Sequence, residues 1–145
     1  PNSVTFICIL TACSHNSLVT EGQKYFLMMI EKYSITPSLD HFSCMVDLFA
    51  RSGSLIEAEK FLETLPFSSS KDVWLPLLTA CKTYIDVDLG FRCFQKLIDI
   101  NPDCASSYML MSSIYASVGR WDDVAKIEEM RIHGGTSNIW SSQLI

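Results

Sequence analysis

An all-α fold made of repeated helical hairpins is predicted by three observations. Aromatic residues stand at Phe6, Phe42, Trp74 and Tyr108, spaced 36, 32 and 34 residues apart. From each of these anchors the same offsets recur: three on are Ile9, Met45, Leu77 and Met111; seven on are Cys13, Phe49, Cys81 and Tyr115. That spacing marks one face of an α-helix. Between the two helical pieces of every unit lies a cluster of turn-forming or polar residues, in "SHNSLVTEGQ", "ARSGSLIEAE", "KTYIDVDLG" and "SVGRWDDVA". After the break, thirteen residues from each anchor, come Val19, Leu55, Val87 and Trp121, where a second helix starts. Sixteen on stand Gly22, Ala58, Gly90 and Val124, three of them small enough to let the second helix approach the first. A repeat of this length cannot bury its apolar face alone and must stack on its neighbours.

The first hairpin is predicted over 3–15 and 20–32, with Thr20 and Gln23 spaced as a capping box and Pro37 closing the unit. The second spans 39–51 and 55–64, with Ser54 and Glu57 as its box and Pro66 as its stop. The third spans 72–83 and 87–99, opened by Asp72 and Asp86 as caps and followed by Pro102. Pro76 is the misfit inside this unit; with Asp72 as the cap it falls in the first turn, where the missing N–H costs little. The fourth spans 105–118 and 121–133, where Gly134-Gly135 ends it. Trp140, in the tail that loses the periodicity, is expected either to fold back over the open end or to belong to a further part of a longer protein. No strands are expected.

The 145 residues are 48% hydrophobic and 19% charged, a balance that calls for a packed core. No apolar run approaches the ~20 residues of a membrane span, so no membrane association is expected. The chain opens on Pro1-Asn2 with no basic or Arg-rich targeting pattern, as expected of a piece of a longer protein. The net charge of −5 divides evenly along the chain: residues 1–70 hold 4 Lys/Arg and 7 Asp/Glu, the rest 7 and 9. Strong nucleic-acid binding by these residues alone is thereby disfavoured, because phosphate contact needs a basic surface.

Chemistry-bearing constellations are sparse. The six cysteines form no C-x-x-C pair, and all but Cys104 fall within apolar helical patterns, as small buried thiols would. His15, His41 and His133 stand apart, without the H-x-E and C-x-x-C of a zinc deaminase. There is no phosphate-cradling Gly-rich loop and no G-x-S-x-G. Asp122-Asp123 and Glu128-Glu129 read as solvated surface, and the Met and aromatic run "YMLMSSIY" reads as core. No catalytic residue, cofactor or metal site is expected.

The run "VTFICILTACSHNSLVTEGQKYFLMMIEKYSITPS", followed by "DHFSCMVDLFARSGSLIEAEKFLETLPF", resembles the last long and short repeats of plant pentatricopeptide repeat proteins of the PLS class. The stretches "VWLPLLTACKTYIDVDLGFRCFQKLIDINPD" and "SSYMLMSSIYASVGRWDDVAKIEEM" resemble the two extension, or E, motifs that follow those repeats. The resemblance covers residues 1 to about 133. It implies a right-handed α-solenoid segment of four helix-turn-helix repeats: a long repeat at 1–38, a short repeat at 39–70, E motifs at 71–104 and 105–135, and an irregular tail at 136–145.

It further implies a factor in mitochondrion or chloroplast that binds single-stranded organellar RNA, mainly through upstream repeats, and directs conversion of chosen cytidines to uridines. A deaminase would act in trans or from a domain beyond these residues, with 71–133 docking it or another editing-complex protein. In that family the fifth and last residues of a unit read one base, which points here to Ile7 with Ser38 and to Ser43 with Ser70. Hydroxyls there can bond a base edge, whereas Ile7 departs from the polar pattern. Residues 100–127, "INPDCASSYMLMSSIYASVGRWDDVAKI", also resemble a tetratricopeptide repeat, so the alternative is a protein-binding adaptor with no direct RNA role. A third reading makes 71–133 a solubilising cap on the array.

Overall fold

A computed structural model of the chain describes residues 1–133. They form eight helices: α1 Ser3–His15, α2 Val19–Glu31, α3 Leu39–Arg51, α4 Leu55–Glu63, α5 Lys71–Tyr84, α6 Val87–Ile100, α7 Ala105–Ser117 and α8 Trp121–Ile132. No strand occurs among the described residues. The predicted boundaries hold to within a residue or two, and the expected stop at Gly134-Gly135 and fold-back of Trp140 lie outside the described residues. The helices gather into two compact units, Pro1–Ser68 with α1 to α4 and Ser69–Ile145 with α5 to α8.

The four hairpin turns are built alike. Each first helix ends with the backbone N–H of the twelfth residue after the anchor donating to the carbonyl of the seventh: Leu18 to Cys13 at 2.9 Å, Ser54 to Phe49 at 3.1 Å, Asp86 to Cys81 at 2.9 Å, Arg120 to Tyr115 at 2.9 Å. This is the six-to-one bond of a Schellman closure, which requires the residue just before it to turn left-handed. That residue is Ser17, Gly53, Ile85 or Gly119, all at positive φ. Glycine meets the requirement twice; at Ile85 a β-branched side chain sits at φ 54°, ψ 54°. Such a backbone is strained for an L-residue with a branched Cβ. Because Ile85 is 52% exposed, little packing is lost on removing it. Ile85→Gly is therefore expected to raise stability by about 1 kcal/mol, read as a later urea midpoint.

All four anchors are buried, as are most residues at the third and seventh offsets. Three aromatic contacts show how hairpins stack. In the first unit Phe26 of α2 meets Phe42 of α3 and Phe61 of α4, each at 5.7 Å between centroids. In the second, Phe94 of α6 meets Tyr108 of α7 edge-on at 5.5 Å. The small residues serve the next hairpin more than their own. A Cβ on Gly22 would collide with Leu48 of α3, and one on Gly90 would stand 3.0 Å from Ile114 of α7, whereas the helix partners Cys13 and Cys81 lie 3.6 and 3.4 Å away.

The caps correct several expectations. Ser54 accepts from the Glu57 N–H at 3.3 Å and Asp86 from the Leu89 N–H at 3.2 Å, but the expected box at Ser54 is only half made, because the Glu57 carboxylate pairs with Lys60 at 3.5 Å. Thr20 caps nothing: α2 begins one residue earlier, with Leu18 at the N-cap and no side-chain bond. The Schellman closure at Leu18 fixes that start regardless of the hydroxyl. Helix α5 is opened by Ser70 rather than Asp72, its hydroxyl accepting from the Asp72 N–H at 3.2 Å. Pro76 consequently lies in the second turn, where it removes an intrahelical bond, and it is tolerated as a buried packing residue. Trp121 matches buried Leu55 in register yet is 66% exposed. Cys8 is exposed and Cys44 and Cys104 half-buried, so burial describes Cys13, Cys81 and Cys93 only.

Candidate nucleic-acid interface

Ile7 on α1 and Ser43 on α3 occupy the same repeat position, one residue past the anchor. Ile7 is half-buried and Ser43 exposed. The adjoining row is a polar seam between the two first helices of this unit. The Thr11 hydroxyl donates to the Ile7 carbonyl at 2.7 Å, and the Cys44 sulfur lies 3.5 Å from Thr11 Oγ1. Burial pushes the Cys44 thiol pKa up, as do the charges of Asp40 and Asp47, while the hydrogen bond with Thr11 lowers it. One turn on, Ser14 donates to Asp47 at 2.5 Å, and Arg51 Nε donates to the same carboxylate oxygen at 2.9 Å.

Ser38 and Ser70 are placed differently: both are N-caps, at the starts of α3 and α5. Ser38 works with His41. The Ser38 N–H donates to His41 Nδ1 at 3.0 Å, the Ser38 hydroxyl lies 2.9 Å from that nitrogen, and His41 Nε2 lies 2.9 Å from the Ser3 carbonyl. A carbonyl only accepts, so the ring carries its proton on Nε2 and accepts at Nδ1. His41 is fully buried and ties the start of α1 to the start of α3. Its sequence position in a helix first turn gave no sign of the distant Ser3 partner. His41→Ala should lower stability by about 1–3 kcal/mol, the cost of a buried polar group left without a partner, as measured by chemical denaturation.

The same repeat position in the second unit is held by Leu75 and Met109. The expectation that "YMLMSSIY" is core holds at Tyr108, Met111, Ile114 and Tyr115 and fails at Met109, which is 63% exposed. These positions line an open groove of about 350 Å³ between α5 and α7. Among the four candidate positions Ile7, Ser38, Ser43 and Ser70, the hydroxyls are those of Ser38, Ser43 and Ser70, and no three His, Cys, Asp or Glu side chains converge to hold a metal among the described residues.

Helical hairpins in fixed register, with first helices presenting a row of variable side chains, define an α-helical repeat protein. Comparison gives the family. Pentatricopeptide repeat models match residues 4–33 and 40–66, and an E motif model matches residues 84–142. The chain belongs to the pentatricopeptide repeat family, with the E motif in its second half, as the PLS class has it. Similar relatives in Arabidopsis thaliana include pentatricopeptide repeat-containing protein At5g15300, 45% identical over 130 residues, or 90% of this chain and 24% of that protein. Another, At3g62890, is 43% identical over 135 residues, with 92% and 24% covered. A third, described as mitochondrial, At5g40410, is 42% identical over 130 residues, with 90% and 21% covered. The chain spans about a quarter of the length of the first of these relatives.

Proposed function

We propose that these residues are part of an organellar RNA-binding factor that specifies sites of C-to-U editing. The observation that carries this reading is the succession of two pentatricopeptide repeats and an E motif in one chain. Residues 1–70 contribute contacts near the edited cytidine, with Ser43 as the exposed inner-face hydroxyl and Ser38, Ser70 and Ile7 at the flanking positions. The seam beside Ser43 is acidic at Asp40 and Asp47, so phosphate contacts come from repeats outside this chain. Residues 71–133 position a deaminase, acting in trans or from a separate domain, or another protein of the editing complex. The compartment is the mitochondrion or the chloroplast; one relative is described as mitochondrial.

A protein-binding adaptor is the second reading, favoured by the apolar groove at Leu75 and Met109. Sequencing of both organelles' transcripts in plants lacking the gene separates the two. Loss of editing at one or a few cytidines is expected; intact editing at every site would leave the adaptor.

A further inference from the structure

We propose that the groove between α5 and α7 holds an extended peptide segment, which seats one aliphatic side chain beside Leu75, Met109 and Leu110 and sets a carboxylate against Lys82. The inference rests on the reading of residues 71–133 as the protein-docking part and gives that part a ligand chemistry.

The groove exists because the second unit lacks the seam of the first. Between α1 and α3 the space is bridged by Thr11 with Cys44 and by Ser14 with Asp47. At the position of Thr11, α5 carries Thr79, whose hydroxyl turns back onto the Leu75 carbonyl of its own helix at 2.9 Å. At the position of Asp47, α7 carries Ser113, too short to reach across. A trough of about 350 Å³ is left, ample for one side chain and a stretch of backbone.

Its lining selects the occupant. Met109 is 63% exposed and unbranched, a side chain that adapts to an incoming aliphatic group. Thr79 and Ser113 offer oxygens to a peptide backbone. Lys82 is the charged group among the described residues lining the groove, and it is exposed. It follows Leu75 by seven residues, roughly 10 Å along the helix. Three residues of peptide in the extended polyproline-II conformation cover roughly the same length and complete one turn, so an aliphatic residue and an acidic one three apart share a face and fit the two ends. RNA fits poorly: a base needs an aromatic platform or a polar edge-reader, and Leu75 and Met109 supply neither.

The test uses the full chain and three fluorescein-labelled octapeptides of alanine and serine. Each carries one leucine and, three positions on, glutamate, serine or lysine; oligouridine is the competitor. Anisotropy titration should rank glutamate above serine above lysine in steps of about two- to fivefold, the scale of one exposed ion pair. Met109→Asp should weaken the glutamate peptide by about tenfold. Lys82→Glu should invert the order, which a loss of folding cannot do. Absence of saturable binding, an unchanged order in Lys82→Glu, or displacement of the glutamate peptide by oligouridine would overturn the proposal. The transcript experiment reads a separate quantity: intact editing in plants lacking the gene retires the RNA reading while leaving peptide binding to be judged on its own result.

Discussion

Phe26→Ala and Phe94→Ala are each expected to cost about 3–5 kcal/mol, while Glu128→Ala at the same repeat position stays within about 0.5 kcal/mol. All three lie twenty residues after their anchors. Phe26 and Phe94 are fully buried and each touches an aromatic ring of the following first helix, so truncation opens a cavity in a stacking interface. Glu128 has no following helix among the described residues and pairs instead with Arg131 at 3.0 Å, in a contact 44% exposed on its side. An exposed pair of that kind contributes little. Urea unfolding followed by far-UV circular dichroism gives the comparison. If the two units unfold in separate steps, Phe26→Ala shifts one and Phe94→Ala the other. Equal costs at all three positions would mean that stacking does not set the energetics of this register.

The register itself was legible in the sequence because the quantities that define it are one-dimensional. Anchor spacing, apolar offsets and small residues at the sixteenth position survive without knowledge of neighbours, and they place every helix to within a residue or two. What escaped depends on contacts distant in sequence or on which of two local bonds wins. His41 needs the carbonyl of Ser3, 38 residues away. Ser70 rather than Asp72 opens α5, although both residue types cap well, and that choice moves Pro76 into the second turn. Thr20 and Gln23 have a capping-box spacing, but the Schellman closure at Leu18, two residues before Thr20, had already set the helix start. Among the candidate sites, Ser43 was readable as an exposed first-helix hydroxyl. The cap roles of Ser38 and Ser70 were not, because the same serine satisfies both patterns.

Conversion of four residues on the last hairpin should turn its outer face into a stacking face and make the chain self-associate. In the first three units, offsets of four, sixteen, twenty and twenty-three residues from the anchor hold Leu10, Gly22, Phe26 and Met29; Val46, Ala58, Leu62 and Leu65; and Leu78, Gly90, Phe94 and Leu97, all of them buried. In the fourth unit they hold Ser112, Val124, Glu128 and Arg131, where apolar character persists only at Val124. A polar outer face is how a helical array ends without offering a template for another copy. The combination Ser112→Leu, Val124→Gly, Glu128→Phe and Arg131→Leu restores the pattern of the third unit and leaves a contiguous apolar strip in water, which proteins cover by association. Light scattering after gel filtration should then show a mass that climbs with concentration beyond that of the parent chain. Val124 and Glu128 are half-buried and Arg131 exposed, so most of the strip forms on a surface, while at Ser112 leucine replaces an enclosed hydroxyl that has no hydrogen-bond partner. A variant that matches its parent at every concentration would mean that this face is already covered, and that the fourth hairpin is not where stacking stops.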